Sequence, residues 1–234
     1  NQELITKSEV QKIPVVQIDS HTAKMQSIFL DSAKYWENRY LYSGTSGIGS
    51  YGRLAEFKAE IINSFVAENN INTVIEFGCG DGNQLRYAKY PRYTGLDISS
   101  KAIHLCSDKF KNDSTKAFFL YSPTCFIDKG GIFKSDLALS LDVIFHLVEN
   151  DIFYLYMNHL FNSAIKFVII YSSDYEQELT NASHVKHRKF SDYIAQHRQN
   201  WVLLRKISNR YPTSEYQEQG SFCDFYIYQK TGYE

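Results

Sequence analysis

Short apolar runs alternate along the chain with longer segments in which apolar residues recur at helical spacing. The apolar runs predict strands at 73–77, 92–96, 117–121, 136–141, 166–171, 201–208 and 222–229. The helical spacing predicts helices at 21–42, 53–68, 82–89, 99–110, 149–162 and 187–198. This alternation predicts an α/β fold with a mostly parallel sheet and helices on both faces. The last two strands are joined without an obvious helix, which favours an antiparallel last strand.

Glycines and one carboxylate mark the ends of the first two predicted strands. The first strand runs into Gly78, Gly80 and Gly82, and the second ends at Asp97. Bare backbone lets a ligand approach closely, and a carboxylate at the next strand end accepts hydrogen bonds from ribose hydroxyls. The pair therefore predicts a nucleoside cofactor, with a helix that begins near Gly82. A turn without a ligand, and an Asp97 that serves as a helix cap, are the alternatives.

The type of nucleoside cofactor follows from the spacing of these glycines. A dinucleotide fingerprint requires G-x-G-x-x-G, but position 83 is Asn. The observed spacing is G-x-G-x-G, with Glu76 two positions before the first glycine. An NAD-type site is therefore not expected.

A further candidate group follows the apolar strand at 136–141. Asp142 and His146 come directly after this strand, and ligands in open α/β sheets lie beyond the carboxyl ends of the strands. Both residues are therefore expected near the reacting centre, where His146 would accept a proton from a hydroxyl group. The alternative for His146 is a packed histidine that fixes the loop.

A basic segment at 184–189 follows the fifth predicted strand, which ends at Tyr171. Its residues predict an anion site, in which Arg188 grips an oxyanion and Lys186 assists. His184 and His187 are additional candidates for proton transfer. A solvated helix start is the alternative, and no carboxylate pattern accompanies the two histidines, so we expect no metal.

Composition restricts the class of protein. The chain has 234 residues, 44% of them hydrophobic, which suits one domain with a sizeable core. A net charge of -1 does not favour nucleic acid or membrane as a partner.

The four cysteines form no C-x-x-C pair, and we expect them to be buried thiols. No apolar run reaches the ~18 residues of a membrane span. Without a signal-peptide pattern, we predict a cytoplasmic protein.

Three segments together resemble a known family. VIEFGCGDG at 74–82, YTGLDIS at 93–99 and DLALSLDVIFHLVEND at 136–151 resemble motifs I, II and IV of class I S-adenosylmethionine-dependent methyltransferases. The stretches at 35–60 and 169–194 resemble a narrower branch, found among bacterial enzymes that modify surface polysaccharides and their precursors. The resemblance covers roughly residues 33–230.

The resemblance implies a Rossmann-like fold with a seven-stranded, mostly parallel sheet and an antiparallel last strand. It also implies that residues 1–52 form a helical and loop segment over the cofactor, and that 53–234 form the methyltransferase domain. The loop at 122–126 lacks the family's frequent acidic residue, so no adenine contact is assigned. The implied cofactor residues are Arg39, Glu76, Gly78, Cys79, Gly80, Asp97, Ile98 and Asp142, with Arg39 on the methionine carboxylate and Asp97 on the ribose.

The same resemblance implies methyl transfer from S-adenosylmethionine to a small acceptor. We expect O-methylation of a phosphate- or phosphoramidate-bearing precursor, or of a sugar hydroxyl, in capsule or surface glycan synthesis. Tyr51, Tyr171, Lys186 and Arg188 are the expected acceptor contacts. The alternatives are a non-catalytic module that binds the cofactor and a nucleic-acid methyltransferase, against which near-neutral charge and the lack of an N-P-P-Y motif argue. The oligomeric state stays open.

Overall fold

A computed structural model describes residues 31–177 and 182–232. The strands are β1 (Thr73–Phe77), β2 (Arg92–Asp97), β3 (Lys116–Leu120), β4 (Ser135–Leu141), β5 (Ala164–Ser172), β6 (Trp201–Ile207) and β7 (Asp224–Lys230). The α-helices are α1 (Ser32–Leu41), α2 (Gly52–Glu68), α3 (Ser100–Lys109), α4 (Asn150–Ser163), α5 (Phe190–His197) and the short α6 (Thr213–Tyr216). The part of the first predicted helix at 21–30 lies outside the described residues.

The seven strands form one sheet in the order β3-β2-β1-β4-β5-β7-β6. β1 to β5 pair in parallel, whereas β7 is antiparallel to both of its neighbours. The predicted antiparallel last strand is therefore confirmed, and it inserts between β5 and β6. The strand order reverses between β1 and β4, and in such sheets this is where a crevice opens for a ligand.

Two apolar layers cover the sheet because strand side chains alternate between its faces. In β1, Val74 packs with α2 on one face, and Ile75 packs with α4 on the other. In β5, Ile169 and Ile170 divide in the same way. Burial on both faces accounts for the nearly continuous apolar sequence of these strands.

The turn after β1 differs from the prediction. In place of a helix at 82–89, the chain forms a 3₁₀ turn at Gln84–Tyr87. Gly82 has φ +71°, which is incompatible with the first turn of an α-helix. An added Cβ there would lie 2.9 Å from Cys106 Sγ on α3, so this glycine allows close packing.

Two further properties bear on the class of protein. Among the described residues, no helix has the length and apolarity that a bilayer crossing requires, and no three metal-ligating side chains cluster. All four cysteines are free thiols, and Cys125 is exposed, contrary to the expectation that all four are buried.

Candidate functional site

A cavity opens at the carboxyl ends of β1, β2 and β4, where the strand order reverses. Its walls come from the glycine turn, the strand ends, α2 and the segment at 32–50. This is the edge at which open α/β sheets bind ligands. Its lining residues include Trp36, Tyr40, Ser46, Lys58, Glu76, Gly78, Cys79, Gly80, Gln84, Asp97, Ile98, Tyr121, Asp142, His146 and Glu149.

The glycine turn leaves bare backbone on the cavity wall. Gly78 has φ +88° and Gly80 has φ +58°, angles that favour glycine. A Cβ on Gly78 would collide with Val143, and one on Gly80 would collide with Ser46 Oγ and lie 3.1 Å from the Tyr40 hydroxyl oxygen. Both positions therefore require glycine for backbone angle and for space.

Asp97 connects the end of β2 to this turn. Its Oδ2 accepts the Gly80 N–H at 2.9 Å, and its Oδ1 accepts the Ser99 N–H at 2.9 Å. Burial raises the pKa of Asp97 to about 6, although these two N–H groups oppose the shift. A carboxylate has about four acceptor positions, so the side chain retains capacity for a ligand.

Glu76 lies deeper, near the end of β1. Its Oε2 accepts the hydroxyl proton of Tyr93 at 2.6 Å. Burial raises the pKa of Glu76 to about 7, while that hydrogen bond and the charge of Lys58 oppose the shift. The cavity therefore contains an acid that titrates near neutral pH.

Asp142 forms a buried ion pair that the sequence analysis missed. Lys58 Nζ on α2 donates to Asp142 Oδ2 at 2.5 Å, and the Lys58 side chain is only 1% exposed. Asp142 has φ +58°, an unusual angle for a residue other than glycine and one that often marks a functional site. A Cβ on Gly49 would lie 2.7 Å from Asp142 Oδ2, so Gly49 lets the loop cover the pair.

His146 lies on the 3₁₀ turn Ile144–His146 after β4 and lines the cavity. Its Nδ1 is 3.0 Å from the carbonyl oxygen of His184. A carbonyl only accepts, so Nδ1 carries the proton and Nε2 has the free lone pair. Burial lowers the pKa of His146 to about 3, so the ring is neutral at ordinary pH.

Helix α1 covers the cavity and is attached at two places. Ser32 donates its N–H to Glu149 Oε1 at 2.8 Å and its hydroxyl to Glu149 Oε2 at 2.6 Å. Glu37 accepts the hydroxyl protons of Ser99 at 2.6 Å and Ser100 at 2.7 Å, at the start of α3. The described part of the segment predicted to cover the cofactor thus forms one wall of the cavity.

The loop at 42–51 continues this cover. The Tyr40 and Ser46 hydroxyl oxygens are 3.0 Å apart, and Ser46 Oγ accepts the Asp81 N–H at 2.9 Å. Tyr51 is a predicted acceptor contact, but its hydroxyl donates to Asp81 Oδ2 at 2.8 Å, and Tyr51 is not among the residues that line the cavity. Tyr51 therefore fastens the loop to the glycine turn.

His184 and His187 lie behind the cavity wall. The His184 ring stacks on Tyr35 with centroids 4.2 Å apart. His187 Nδ1 is 2.7 Å from Ser173 Oγ, and its ring stacks on Tyr175. Burial lowers the pKa of both histidines. Of the three predicted histidines, His146 alone belongs to the cavity lining formed by the described chain.

The basic segment differs from the expected anion site. Arg188 is buried, and its guanidinium donates to the Leu147 carbonyl at 3.1 and 3.2 Å and to the Val148 carbonyl at 2.8 Å. Lys186 Nζ donates to Asn150 Oδ1 at 3.2 Å. These donors bind the protein itself, and neither Arg188 nor Lys186 lines the described cavity.

Two other predicted contacts also lie away from the cavity lining. Arg39 Nε donates to the Thr45 carbonyl at 2.6 Å and so holds the covering loop. Tyr171 is fully buried, and its ring centroid lies 5.3 Å from Lys58 Nζ. The Tyr171 carbonyl accepts the Asp142 N–H at 2.9 Å, which gives Tyr171 a supporting position beneath the ion pair.

Several cavity residues had no assigned role in the sequence analysis. Tyr121 follows β3, and its hydroxyl is 2.8 Å from His159 Nδ1. Tyr121 and Pro123 line the cavity together with Asp97 and Ile98, and they follow β3, where no adenine contact could be assigned from sequence. Lys58 could have been recognised from the sequence, because it is a charged residue within the apolar stripe of α2 that includes Leu54 and Phe65.

No protein-family model and no curated protein sequence matches the chain. Solved structures with a similar fold include the N-methyltransferase NodS from Bradyrhizobium japonicum in complex with S-adenosyl-L-homocysteine. That structure has a TM-score of 0.64 and 11% identity, over 86% of this chain and 99% of that one.

Two further solved structures have the same fold. Magnesium protoporphyrin IX methyltransferase ChlM from Synechocystis, with bound SAM, has a TM-score of 0.60 and 15% identity, over 86% of this chain and 98% of that one. The methyltransferase domain of bacterial CtHen1 has a TM-score of 0.55 and 20% identity, over 74% and 97% of the two chains. The chain therefore has the Rossmann-like methyltransferase fold that its sequence predicts.

Proposed function

We propose that this chain binds S-adenosylmethionine and catalyses transfer of its methyl group to a small acceptor. The observation that carries the proposal is the Asp97 carboxylate, which lies on the cavity wall and is hydrogen-bonded to the bare turn at Gly80. Bare backbone suits the approach of the cofactor, and the carboxylate suits its ribose hydroxyls. The fold similarity to structures that contain S-adenosylmethionine or S-adenosylhomocysteine supports the same cofactor.

The residues on the cavity wall fit this cofactor chemically. Gly78, Gly80 and Cys79 would flank its amino-acid part, and Asp97 with Ile98 would hold the ribose. When bound, S-adenosylmethionine supplies an electrophilic methyl group on a sulfonium. The acidic side chains Glu76 and Asp142 suit a positively charged ligand.

His146 would orient the acceptor. Its lone pair at Nε2 accepts a hydrogen bond from a hydroxyl nucleophile and so points the oxygen at the methyl group. As the new C–O bond forms and the S–CH3 bond breaks, the hydroxyl proton leaves to solvent. A ring with a pKa of about 3 stays neutral throughout, so it acts mainly by alignment. The His184 ring stacks on the His146 ring with centroids 5.4 Å apart, and neither His184 nor His187 lines the described cavity.

We extend the proposal to the acceptor class expected from the sequence. Within the described cavity lining, the one Lys or Arg is Lys58, and it is already paired with Asp142. This charge pattern favours the hydroxyl of a sugar-like precursor over a phosphate or phosphoramidate oxygen. O-methylation of a surface-glycan precursor in the cytoplasm is therefore the narrower form of the proposal.

Calorimetry with S-adenosylhomocysteine tests the cofactor site. Asp97→Asn should weaken binding by about 10- to 100-fold, because a hydrogen bond to a charged group contributes about 1.5–3 kcal/mol. Asp136→Asn is the matched control, since Asp136 also accepts backbone N–H groups but lies at the amino-terminal end of β4, away from the cavity. No uptake by the wild-type protein, or equal affinity in Asp97→Asn, would refute the proposal.

Product analysis tests catalysis and the acceptor. The protein is incubated with S-adenosylmethionine and matched panels of neutral sugars, phosphorylated sugars and short RNAs, and S-adenosylhomocysteine release is measured. We expect turnover with neutral sugars. Turnover with RNA alone would indicate a nucleic-acid methyltransferase, and binding without any release would indicate a non-catalytic module.

A further inference from the structure

His146 belongs to a cluster of four aromatic rings. The other members are Tyr35 and Trp36 of α1 and His184 of the segment at 184–189. The Tyr35 ring stacks on His184 with centroids 4.2 Å apart, and His184 stacks on His146 at 5.4 Å. Trp36 is nearly perpendicular to both ends of this stack, with its centroid 5.4 Å from Tyr35 and 4.8 Å from His146. The rings therefore join three separate segments of the chain beside the cavity.

One face of α1 provides its part of the cluster. Ser32, Tyr35 and Trp36 are three and four residues apart, so their side chains share a face of the helix. Ser32 Oγ lies 2.9 Å from the carbonyl oxygen of His146, and the Trp36 ring contacts the His146 ring. The helix that covers the cavity thus contacts both the backbone and the ring of His146.

The tautomer of His146 depends on His184. Among the described residues, the polar partner of the ring is the His184 carbonyl oxygen, 3.0 Å from Nδ1. A neutral imidazole carries one N–H, on either nitrogen, and the other nitrogen accepts. The carbonyl therefore selects the Nδ1–H tautomer and leaves Nε2 as the acceptor. If the carbonyl moved away, the Nε2–H tautomer, which cannot accept a hydrogen bond at Nε2, would be populated as well.

The position of His184 depends in turn on Tyr35. The N–H of Lys186 donates to the Phe145 carbonyl at 2.8 Å, which brings the basic segment close to the turn that carries His146. His184 itself is half-buried, and its ring lies nearly parallel to that of Tyr35, with 12° between the planes. Stacked aromatic pairs are favourable beyond the area that they bury, so Tyr35 fixes where His184 lies.

We infer that Tyr35 is a positioning residue for methyl transfer: by stacking on His184 it keeps the His184 carbonyl at Nδ1 of His146, so that Nε2 accepts from the acceptor hydroxyl. The inference rests on the proposed function, in which His146 orients that hydroxyl. Neither Tyr35 nor His184 lines the described cavity, so both act through His146. Because Tyr35 belongs to α1, the acceptor site is complete only when this helix covers the cavity.

Nuclear magnetic resonance of the histidine rings tests the inference without an acceptor. In protein bound to S-adenosylhomocysteine at neutral pH, the nitrogen shifts distinguish a protonated ring nitrogen from an unprotonated one. His146→Gln identifies the His146 signals by their loss. We expect the Nδ1–H tautomer in the wild-type protein and a mixture of both tautomers in Tyr35→Leu. Tyr35→Phe keeps the ring and should restore the wild-type spectrum.

Kinetics measure the consequence for methyl transfer. The probe is the neutral sugar of the panel that gives the fastest S-adenosylhomocysteine release. With it, kcat of Tyr35→Leu should fall about 2- to 10-fold, the range that the loss of one aromatic pair supports. The Kd of S-adenosylhomocysteine, measured by calorimetry, should change less than twofold, because Tyr35 does not line the cavity.

Two more variants keep the result interpretable. Tyr42→Leu is the matched control, since Tyr42 directly follows the same helix but is 62% exposed, and it should change neither the spectrum nor kcat. His184→Ala removes the stacking ring but keeps the backbone carbonyl. It should therefore give the same mixture of tautomers as Tyr35→Leu, even if that variant folds poorly.

The outcomes separate the inference from the proposed function. The Nε2–H tautomer in the wild-type protein, or an unchanged spectrum in both Tyr35→Leu and His184→Ala, would overturn the role of Tyr35 and leave cofactor binding intact. A loss of affinity for S-adenosylhomocysteine as large as the loss in kcat, without a change of tautomer, would also overturn it and leave Tyr35 as part of the cover alone. Wild-type protein that does not bind S-adenosylhomocysteine would refute the proposed function, whatever the histidine spectrum shows.

Discussion

The glycine turn at 78–82 and the basic segment at 184–189 make an instructive pair, because both were predicted to bind a ligand. The turn is rich in glycine, so its bare backbone faces the cavity beside the Asp97 carboxylate at the end of β2. The basic segment has many donors, but Arg188 gives its donors to the carbonyls of Leu147 and Val148. Strained backbone at a strand end is thus a better guide to a site than a group of charges, since charges also serve to hold loops.

The largest expected effect is at the glycine turn. Gly80→Ala should weaken S-adenosylhomocysteine binding by at least about 100-fold, because it combines backbone strain at φ +58° with a collision against Ser46. Gly52→Ala is the matched control: its φ is +52°, but an added Cβ meets nothing within 4 Å. If both variants bind the ligand equally well, close approach of the backbone is not what the turn provides.

The basic segment should show a large effect on stability and none on binding. Arg188→Met should lower the free energy of unfolding by about 3 kcal/mol, since it leaves two carbonyls without their donors. The affinity of the folded protein for S-adenosylhomocysteine should not change. Denaturant unfolding and calorimetry measure the two quantities. An unaltered stability with a higher acceptor KM would restore the anion site.

The pH dependence of the free energy of unfolding tests whether burial raises the pKa of Glu76. Its pKa is about 7 in the folded protein and 4.5 ordinarily, so the folded state binds the proton more tightly. The contribution of Glu76 to the free energy of unfolding therefore falls as pH rises from 4.5 to 7 and is constant above that window. Glu76→Gln should remove this decline and so stabilise the ligand-free protein at pH 8 by up to about 3 kcal/mol. Thermal unfolding at pH 5 and pH 8 would show parallel behaviour of both proteins if the prediction is wrong.

The smallest effect is expected at Lys186, whose ammonium reaches Asn150 on the surface. Lys186→Ala should change stability by less than about 0.5 kcal/mol and the acceptor KM by less than twofold. A several-fold increase in KM would mean that the acceptor extends beyond the cavity to this segment.

Most of the fold was predictable because each strand is marked by its own apolar run. The strands β1, β2 and β4 lie within one residue of their predicted bounds. The helix predicted at 82–89 was wrong because local pattern does not register the tertiary packing of Gly82 against Cys106. Contacts between distant segments leave no periodic pattern in the sequence, so periodicity does not predict them.

The site residues also fall into two groups, those predictable from local sequence and those that depend on tertiary packing. Asp97, Asp142 and His146 were placed at the cavity because each follows a strand, and position in a parallel sheet fixes which edge a residue reaches. Lys58 was missed because its role depends on where α2 packs. The hydrogen bonds that Arg188 donates depend likewise on carbonyls 40 and 41 residues away along the chain.

Glu37 brings a negative charge from α1 to the start of α3, and that charge contributes to the raised pKa of Asp97. Glu37 is not part of the cavity lining, yet its two hydrogen bonds fix α1 against the strand end that carries Asp97. One side chain outside the cavity thus sets both the position of the covering helix and part of the charge that Asp97 experiences.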